Sequence, residues 1–256
     1  MILLFGDVHS DFRHVLPVVQ AEKPAAIIFL GDIQAQRPLE QELADVMELT
    51  EVYFIHGNHD TGSKVHYDNL FCSALADRNL HGRIVEIDGV RVAGLGGIFR
   101  ESVWYPKTSA EIEPIYQNYD SCVNKLMDAE RWKLYRKLEK EGKKPDRLPA
   151  PPLVGKALLH KSSIFWNDWM QLHNQQADIL VTHEAPSCHP HGFCGIDALA
   201  QRMQVKYSFH GHHHDHFNYA AHEAALGFSA HGVGLRGVSN RYGGVVLLGN
   251  EDERKF

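Results

Sequence analysis

The stretch MILLFGDVH, residues 1–9, joins an apolar run to a glycine, an aspartate and a histidine, and this pattern recurs along the chain. Four further apolar runs end in polar groups: AAIIFL (25–30) precedes GD (31–32), VYFIH (52–56) precedes GNHD (57–60), DILVT (178–182) precedes His183, and KYSFH (206–210) precedes GHHH (211–214). Short apolar runs bounded by glycine are typical of buried strands. Residues just past the carboxyl ends of strands line the ligand crevice of an α/β sheet. The sequence therefore predicts one site built from five strand ends.

The polar groups at these strand ends are ligand atoms that metals prefer. Asp7 and His9 are two residues apart, as are His212 and His214, so on extended backbone each pair would present both side chains to one cavity. With the remaining donors the set is Asp7, His9, Asp32, Asn58, His183, His212 and His214. That set exceeds the needs of one ion, and two adjacent cations about 3.5–4 Å apart would use all of it.

The order Asp-x-His, Gly-Asp, Gly-Asn-His-Asp, His and Gly-His-x-His over residues 6–214 resembles the calcineurin-like metallophosphoesterase superfamily. The resemblance implies an α/β fold, a four-layer αββα sandwich of two mixed sheets flanked by helices. It implies a first metal held by Asp7, His9 and His214, a second held by Asn58, His183 and His212, and Asp32 bridging them. Nitrogen and oxygen donors suit Mn, Fe, Zn, Co or Ni. Analogy with the family favours Mn or Fe.

One block departs from the family pattern. Many members carry Gly-Asp-x-x-Asp, often followed by Arg, whereas residues 31–37 read GDIQAQR. Ala35 replaces the second aspartate, and Arg37 is offset by one position. The departure disfavours the phosphoprotein phosphatase branch.

The expected chemistry is hydrolysis of a phosphate ester. Two cations lower the pKa of water, so a bridging hydroxide attacks phosphorus while the ions neutralise the phosphoryl oxygens. His59 is predicted to protonate the leaving group or to stabilise the transition state, and Asp60 to fix the tautomer and orientation of the His59 ring.

The chain is predicted to form a single domain, residues 1–256, in which a mostly helical segment at about 100–176 is inserted as a cap. Strands are expected at 1–5, 26–30, 52–56, 84–87, 90–93, 178–182, 205–210 and 244–248, and helices at 11–21, 38–50, 156–175 and 195–203. Asp88-Gly89 predicts a type I′ hairpin turn. The segment from Gly142 to Pro152 reads as an exposed linker.

Substrate contacts are expected from groups on loops near the predicted site. These groups are Arg37, His189, His191, Trp104 and Tyr105. Most of the tryptophans Trp132, Trp166 and Trp169 are expected to pack the inserted helices onto the sandwich. The alternative is that some of these rings stack on a base or another flat group of the substrate. His56 is assigned to the core, and His213 and His216 to a solvated loop.

Composition excludes several classes of partner. The net charge of −6 argues against an extended nucleic-acid surface, and no apolar run reaches the ~18 residues of a membrane span. No cleavable leader is evident, so a cytoplasmic location is expected. The four cysteines are expected to be thiols, with a Cys188–Cys194 disulfide as the alternative. Oligomeric state is open.

The sequence therefore predicts a metal-dependent phosphoesterase that acts on a small, nucleotide-like phosphodiester or anhydride. The alternatives within the enzyme class are a phosphomonoesterase, a nuclease and a protein phosphatase. A non-catalytic scaffold with the same fold is the alternative from another class, and the complete set of donors disfavours it.

Overall fold

The computed structural model describes residues 1–143, 145–217 and 219–250. The amino-terminal part contains β1 (Ile2–Phe5), α1 (Val15–Glu22), β2 (Ala26–Leu30), α2 (Leu39–Glu42), α3 (Ala44–Met47), β3 (Glu51–Ile55), α4 (Lys64–Phe71), β4 (Arg83–Ile87) and β5 (Val90–Leu95). Four helices follow: α5 (Tyr119–Leu126), α6 (Asp128–Lys140), α7 (Lys156–Leu159) and α8 (Trp166–His173). The rest contains β6 (Ile179–Thr182), α9 (Cys194–Met203), β7 (Tyr207–His210), α10 (Glu223–Leu226), β8 (Ser229–Gly232), β9 (Val238–Asn240) and β10 (Val245–Leu247).

The strands form two mixed five-stranded sheets. The first has the order β10-β9-β1-β2-β3, in which β1, β2 and β3 are parallel. The second has the order β4-β5-β6-β7-β8, in which β5 to β8 are parallel and β4 is antiparallel to β5. Parallel strands share a direction, so each sheet presents several carboxyl ends at one edge.

Alternating side chains of β1 pack in two different layers of the fold. Leu3 and Phe5 belong to a buried cluster with Val15 and Val19 of α1, whereas Ile2 and Leu4 pack in a cluster that includes residues of the second sheet, among them Phe209. The other face of the second sheet packs in a third cluster with α8 and α9. The helix–sheet–sheet–helix order confirms the predicted αββα sandwich.

The predicted hairpin is confirmed. Ile87 pairs with Val90 across a two-residue turn, and Asp88 and Gly89 have φ of +49° and +71°. Positive φ at both central residues is what a type I′ turn requires, and Asp-Gly tolerates it.

Several predicted elements are shorter or divided. The helix expected from residue 11 begins at Val15, and the helix expected at 38–50 is two helices that meet at Leu43. The helix expected at 156–175 is α7, a 3₁₀ helix (His160–Ser162) and α8. Four of the labelled helices and strands were not predicted, α4, α10, β8 and β9. Their sequences KVHYDNLF, EAAL, SAHG and VSN are short or carry little apolar periodicity, and their neighbours in the fold decide their conformation.

The inserted segment connects β5 and β6, which are hydrogen-bonded neighbours in the second sheet. Trp104, Phe165 and Trp169 of this segment lie in the same buried cluster as Leu95 and Leu180 of the strands. The segment is therefore part of the core on its inner side. Its outer helix α6 has no buried residue, and Trp132 there is 45% exposed, so the prediction that Trp132 packs is wrong. In the predicted linker, Lys144 lies outside the described residues.

Candidate metal centre

The carboxyl ends of both sheets meet at one place. Asp7 and Asp32 follow β1 and β2 of the first sheet, and His183 and His212 follow β6 and β7 of the second. Two hydrogen bonds join the sheets there: His183 Nδ1 donates to the carbonyl of Leu30 at 2.8 Å, and the His212 amide donates to Asp7 Oδ2 at 2.7 Å.

The Asp32 side of the site has the geometry of a metal-ligand cluster. Ligand atoms of Asp32, His183 and His212 all lie within 4.8 Å of one another. Because His183 donates through Nδ1, its Nε2 is free to bind a metal, and this atom lies 3.2 Å from Asn58 Oδ1 and 3.3 Å from Asp32 Oδ2. The structure thus brings together the four residues expected at the second metal and the bridge.

The His9 side completes the site. His9 Nε2 lies 3.0 Å from His214 Nε2, and His214 Nε2 lies 3.9 Å from Asp7 Oδ2. His9 Nδ1 lies 2.5 Å from Gln34 Oε1 and donates to it, which leaves Nε2 for a metal. Sequence reasoning missed Gln34, because its hydrogen bond with the candidate ligand His9 spans 25 positions and no motif marks it.

The charges of the buried groups favour a bound cation. Asp7 is fully buried, and its Oδ1 has no hydrogen-bond partner among the described residues. Burial, assisted by the neighbouring Asp32, raises the pKa of Asp7 to about 8. Burial would lower the pKa of His183, but the Asp32 and Asp7 carboxylates outweigh it and raise this pKa to about 10. A buried carboxylate oxygen without a hydrogen-bond partner, beside an imidazole that two carboxylates hold protonated, fits a site where a divalent cation takes the place of protons.

The backbone brings the ligands together in a way that differs from the prediction. His9, Asp32, His212 and His214 have φ of +43°, +46°, +70° and +61°. The expectation of extended backbone at 7–9 and 212–214 is therefore wrong. Left-handed turns aim these side chains inward, and such strain is typical of functional sites.

Two glycines make this close approach possible. A Cβ at Gly31, whose φ is +101°, would lie 2.4 Å from His183 Nδ1, and a Cβ at Gly57 would lie 2.2 Å from Asp32 Oδ1. Both positions require the absence of a side chain because ligands from other strands occupy that space.

His59 lies at the surface of the site and Asp60 beneath it. The His59 amide donates to Asp32 Oδ1 at 2.7 Å, and its exposed ring lies 5.3 Å from the His9 ring between centroids. Buried Asp60 accepts hydrogen bonds from the amides of Gln34 and Gly57, at 2.7 and 2.8 Å. No hydrogen bond between described residues joins Asp60 to the His59 ring. The predicted role of Asp60 in orienting that ring is therefore wrong. Asp60 instead accepts hydrogen bonds from the loops that follow β2 and β3.

A second histidine cluster lies behind the ligand pair His212 and His214. The His213 ring stacks on His189 with centroids 4.1 Å apart and an interplanar angle of 18°. His189 is buried, and its Nε2 lies 3.3 Å from Asp215 Oδ2. The solvated-loop prediction for His213 is wrong, and burial removes His189 from the expected substrate contacts. His191 is exposed, and its amide donates to His189 Nδ1.

Removing the His213 ring is expected to weaken metal binding. We expect His213→Ala to lower Mn²⁺ affinity about 10- to 100-fold, because the stack on His189 holds the turn that presents His212 and His214. Isothermal titration would measure it. His213→Phe preserves a flat ring and should restore most of the affinity. Unchanged affinity in His213→Ala would contradict this positioning role.

The remaining predicted substrate contacts have different positions. Trp104 is 1% exposed and donates its indole N–H to the carbonyl of Ile112, so it belongs to the core and not to a substrate surface. Tyr105 is half-buried and packs edge-on against Phe193. Arg37 is exposed and pairs with Glu42 at 2.9 Å. Tyr105, Arg37 and His191 remain predictions.

Comparison with known proteins identifies the family. A model of the calcineurin-like phosphoesterase family matches residues 1–216. The chain belongs to the calcineurin-like phosphoesterase family. An uncharacterized protein of Haemophilus influenzae is 36% identical to this chain over 256 residues, and the alignment covers all of both chains.

A solved structure has a similar fold. A crystal structure aligns with 97% of this chain and 98% of its own chain, with a TM-score of 0.50 and 13% identity. The family uses divalent metals to hydrolyse phosphoesters, which agrees with the donor set above. Among the described residues, we find no helix with the length and apolar character to cross a membrane.

Proposed function

We propose that this protein is a dinuclear metal-dependent phosphoesterase that hydrolyses a small, nucleotide-like phosphodiester or anhydride. The observation that carries the proposal is the convergence of Asp32, His183 and His212 at the carboxyl ends of two sheets. Members of the family that serve only as scaffolds need no such set of free donor atoms.

The donors divide into two sets around Asp32. Asp7, His9 and His214 would hold one ion, and Asn58, His183 and His212 the other. The 3.0 Å separation of His9 Nε2 and His214 Nε2 supports the first set, since two nitrogens so close need a shared proton or a cation between them. The contacts of His183 Nε2 with Asn58 and Asp32 support the second. Mn or Fe are the proposed ions, and Zn, Co and Ni are compatible with the donors.

Bound divalent cations would supply Lewis acidity and a nucleophile derived from water at neutral pH. The side chains of the protein would donate the proton and orient the ligand rings. His59 is exposed at the mouth of the site and tied through its amide to Asp32, so it can donate a proton to the leaving oxygen. Gln34 and the Leu30 carbonyl fix the ring nitrogens of His9 and His183.

The departure from the family pattern at residues 31–37 supports a small substrate over a phosphoprotein. Ala35 is 1% exposed and packs in the core of the first sheet, and the Arg37 guanidinium pairs with Glu42. Neither residue supplies a free cation to grip a phosphorylated side chain. The net charge of −6 also disfavours a long nucleic acid.

The test is turnover by the purified protein with Mn²⁺ on bis-p-nitrophenyl phosphate, p-nitrophenyl phosphate, cyclic nucleotides and dinucleoside polyphosphates. We expect metal-dependent hydrolysis, abolished by a chelator and restored by Mn²⁺, with the diester preferred over the monoester. Preference for the monoester would favour a phosphatase. Absence of turnover with full metal content would favour a scaffold.

A further inference from the structure

Arg100 is a partly buried cation whose bonding is incomplete. It follows β5, the parallel neighbour of the strand that ends at His183. Its Nε donates to Ser163 Oγ at 3.0 Å and its Nη2 to Ser162 Oγ at 3.4 Å. Among the described residues it forms no ion pair with a carboxylate. Burial of a guanidinium bonded only to neutral hydroxyls is costly, which suggests that an anion completes its environment.

The carboxylate that influences Arg100 most is not a substitute for such an anion. Glu184 is 3% exposed and accepts a hydrogen bond from the Phe99 amide at 3.0 Å. Among the described residues no ion pair or hydrogen bond joins Glu184 to Arg100, so the Arg100 charge is only partly compensated from within the protein.

Arg100 lines a cavity between the loop after β5 and the inserted helices. The cavity has a volume of about 570 Å³. Its lining residues include two cations, Arg100 and Lys156, and one carboxylate, Glu101. The rest of the wall is largely apolar, with Tyr105 and Leu159 among the lining residues, so the cavity suits a phosphate or carboxylate group that carries a short organic chain.

Hydrogen bonds connect this cavity to the metal centre. Ser162, which accepts from Arg100, lies 2.7 Å from Thr61 between hydroxyl oxygens. Thr61 Oγ1 in turn lies 3.4 Å from the carbonyl of the metal ligand Asn58. The 3₁₀ helix His160–Ser162 therefore contacts the 3₁₀ helix His59–Thr61, and the two sites are adjacent.

We propose that Arg100, assisted by Lys156, binds a second oxyanion of the substrate, a phosphate or carboxylate group that is not hydrolysed. The planar fork of a guanidinium suits either group, and Lys156 adds a point charge at the open side of the cavity. This proposal rests on the proposed phosphoesterase function and specifies its substrate class as one with an oxyanion beyond the scissile phosphorus.

The experiment uses a series of p-nitrophenyl alkyl phosphates whose alkyl chains of three to six carbons end in a methyl, carboxylate or phosphate group. With the Mn²⁺-loaded protein, we expect a KM about tenfold lower for the best anionic chain than for the methyl-ended chain of equal length. In Arg100→Met this ratio of KM values should fall to near one. The ratio is informative because loss of metal or of folded protein lowers kcat for both substrates equally.

Controls separate this proposal from the phosphoesterase proposal. Arg131→Met removes a guanidinium that also bonds only neutral groups in the inserted segment, the carbonyls of Leu148 and Pro149, and should keep the wild-type ratio. If Arg100→Met fails to fold, Lys156→Met at an exposed position should still reduce the ratio. Equal KM values for all chain ends in the wild type would overturn the anion site. Binding of free phosphate or carboxylate ions without any preference among the esters would overturn it as well. Absence of turnover on every ester would overturn the phosphoesterase proposal itself.

Discussion

Replacing Asp32 by asparagine is expected to lower turnover of bis-p-nitrophenyl phosphate by about a thousandfold or more and to reduce the bound metal. Asp32 is 1% exposed, lies 3.3 Å from His183 Nε2 and accepts the His59 amide. Although burial raises the pKa of Asp32, the charge and hydrogen bond of His183 outweigh it and hold this pKa below its ordinary range. Asp32 is therefore an anion at neutral pH, and the amide variant loses the negative charge that would attract the two proposed ions.

Turnover and metal content per chain after dialysis measure the effect of Asp32→Asn. The matched control is Asp45→Asn in α3, where the carboxylate is exposed, and it should retain wild-type values. Full metal content and turnover within about threefold of wild type in Asp32→Asn would contradict the assignment of Asp32 as the shared ligand.

Replacing His59 by alanine is expected to lower kcat about 10²- to 10³-fold while both metals stay bound. The His59 ring is exposed and makes no hydrogen bond with a described residue that would hold a ligand in place. Its structural contact with the site is the backbone amide that donates to Asp32, and alanine preserves that amide. The loss should therefore be in proton donation to the leaving oxygen.

The leaving group provides the readout for His59. Esters with a p-nitrophenolate leaving group need little protonation, so His59→Ala should affect them less than esters with an alkoxide leaving group. His222→Ala, on the carboxyl-terminal side of the chain, should change neither rate. Metal loss in His59→Ala, or equal losses for the two leaving groups, would show that His59 acts on the ions and not on the leaving oxygen.

The sequence predicted the elements of the fold that have strong local signals. β1, β2, β3 and β6 are nearly continuous apolar runs, because parallel strands are buried on both faces. The Asp88-Gly89 turn requires two positive φ values that few other residue pairs adopt. In contrast β8 and β9, with the sequences SAHG and VSN, have no such signal and form because β7 and β1 offer unpaired edges.

The candidate site also has one set of residues that could be predicted from the sequence and another set that could not. The ligand residues could be predicted because a strand end places the next residues at the edge of the sheet, and because metals prefer carboxylates and imidazoles. The supporting groups could not. Hydrogen bonds join Gln34 to His9 and Asp60 to Gln34 across 25 and 26 positions, and the His213 ring stacks on His189. No local sequence pattern indicates contacts between residues so far apart.

The sequence alone therefore predicted the sandwich and the family, and it named the candidate metal donors, since each depends on residue type and short-range order. Only the tertiary structure decided how these donors converge, through left-handed turns at His9, Asp32, His212 and His214. It also placed Trp104 and His189 in the interior and Arg100 in the wall of a cavity lined by the inserted segment. The physical reason is that burial, charge compensation and side-chain stacking arise between segments remote in sequence, and they exist only after the two sheets have packed.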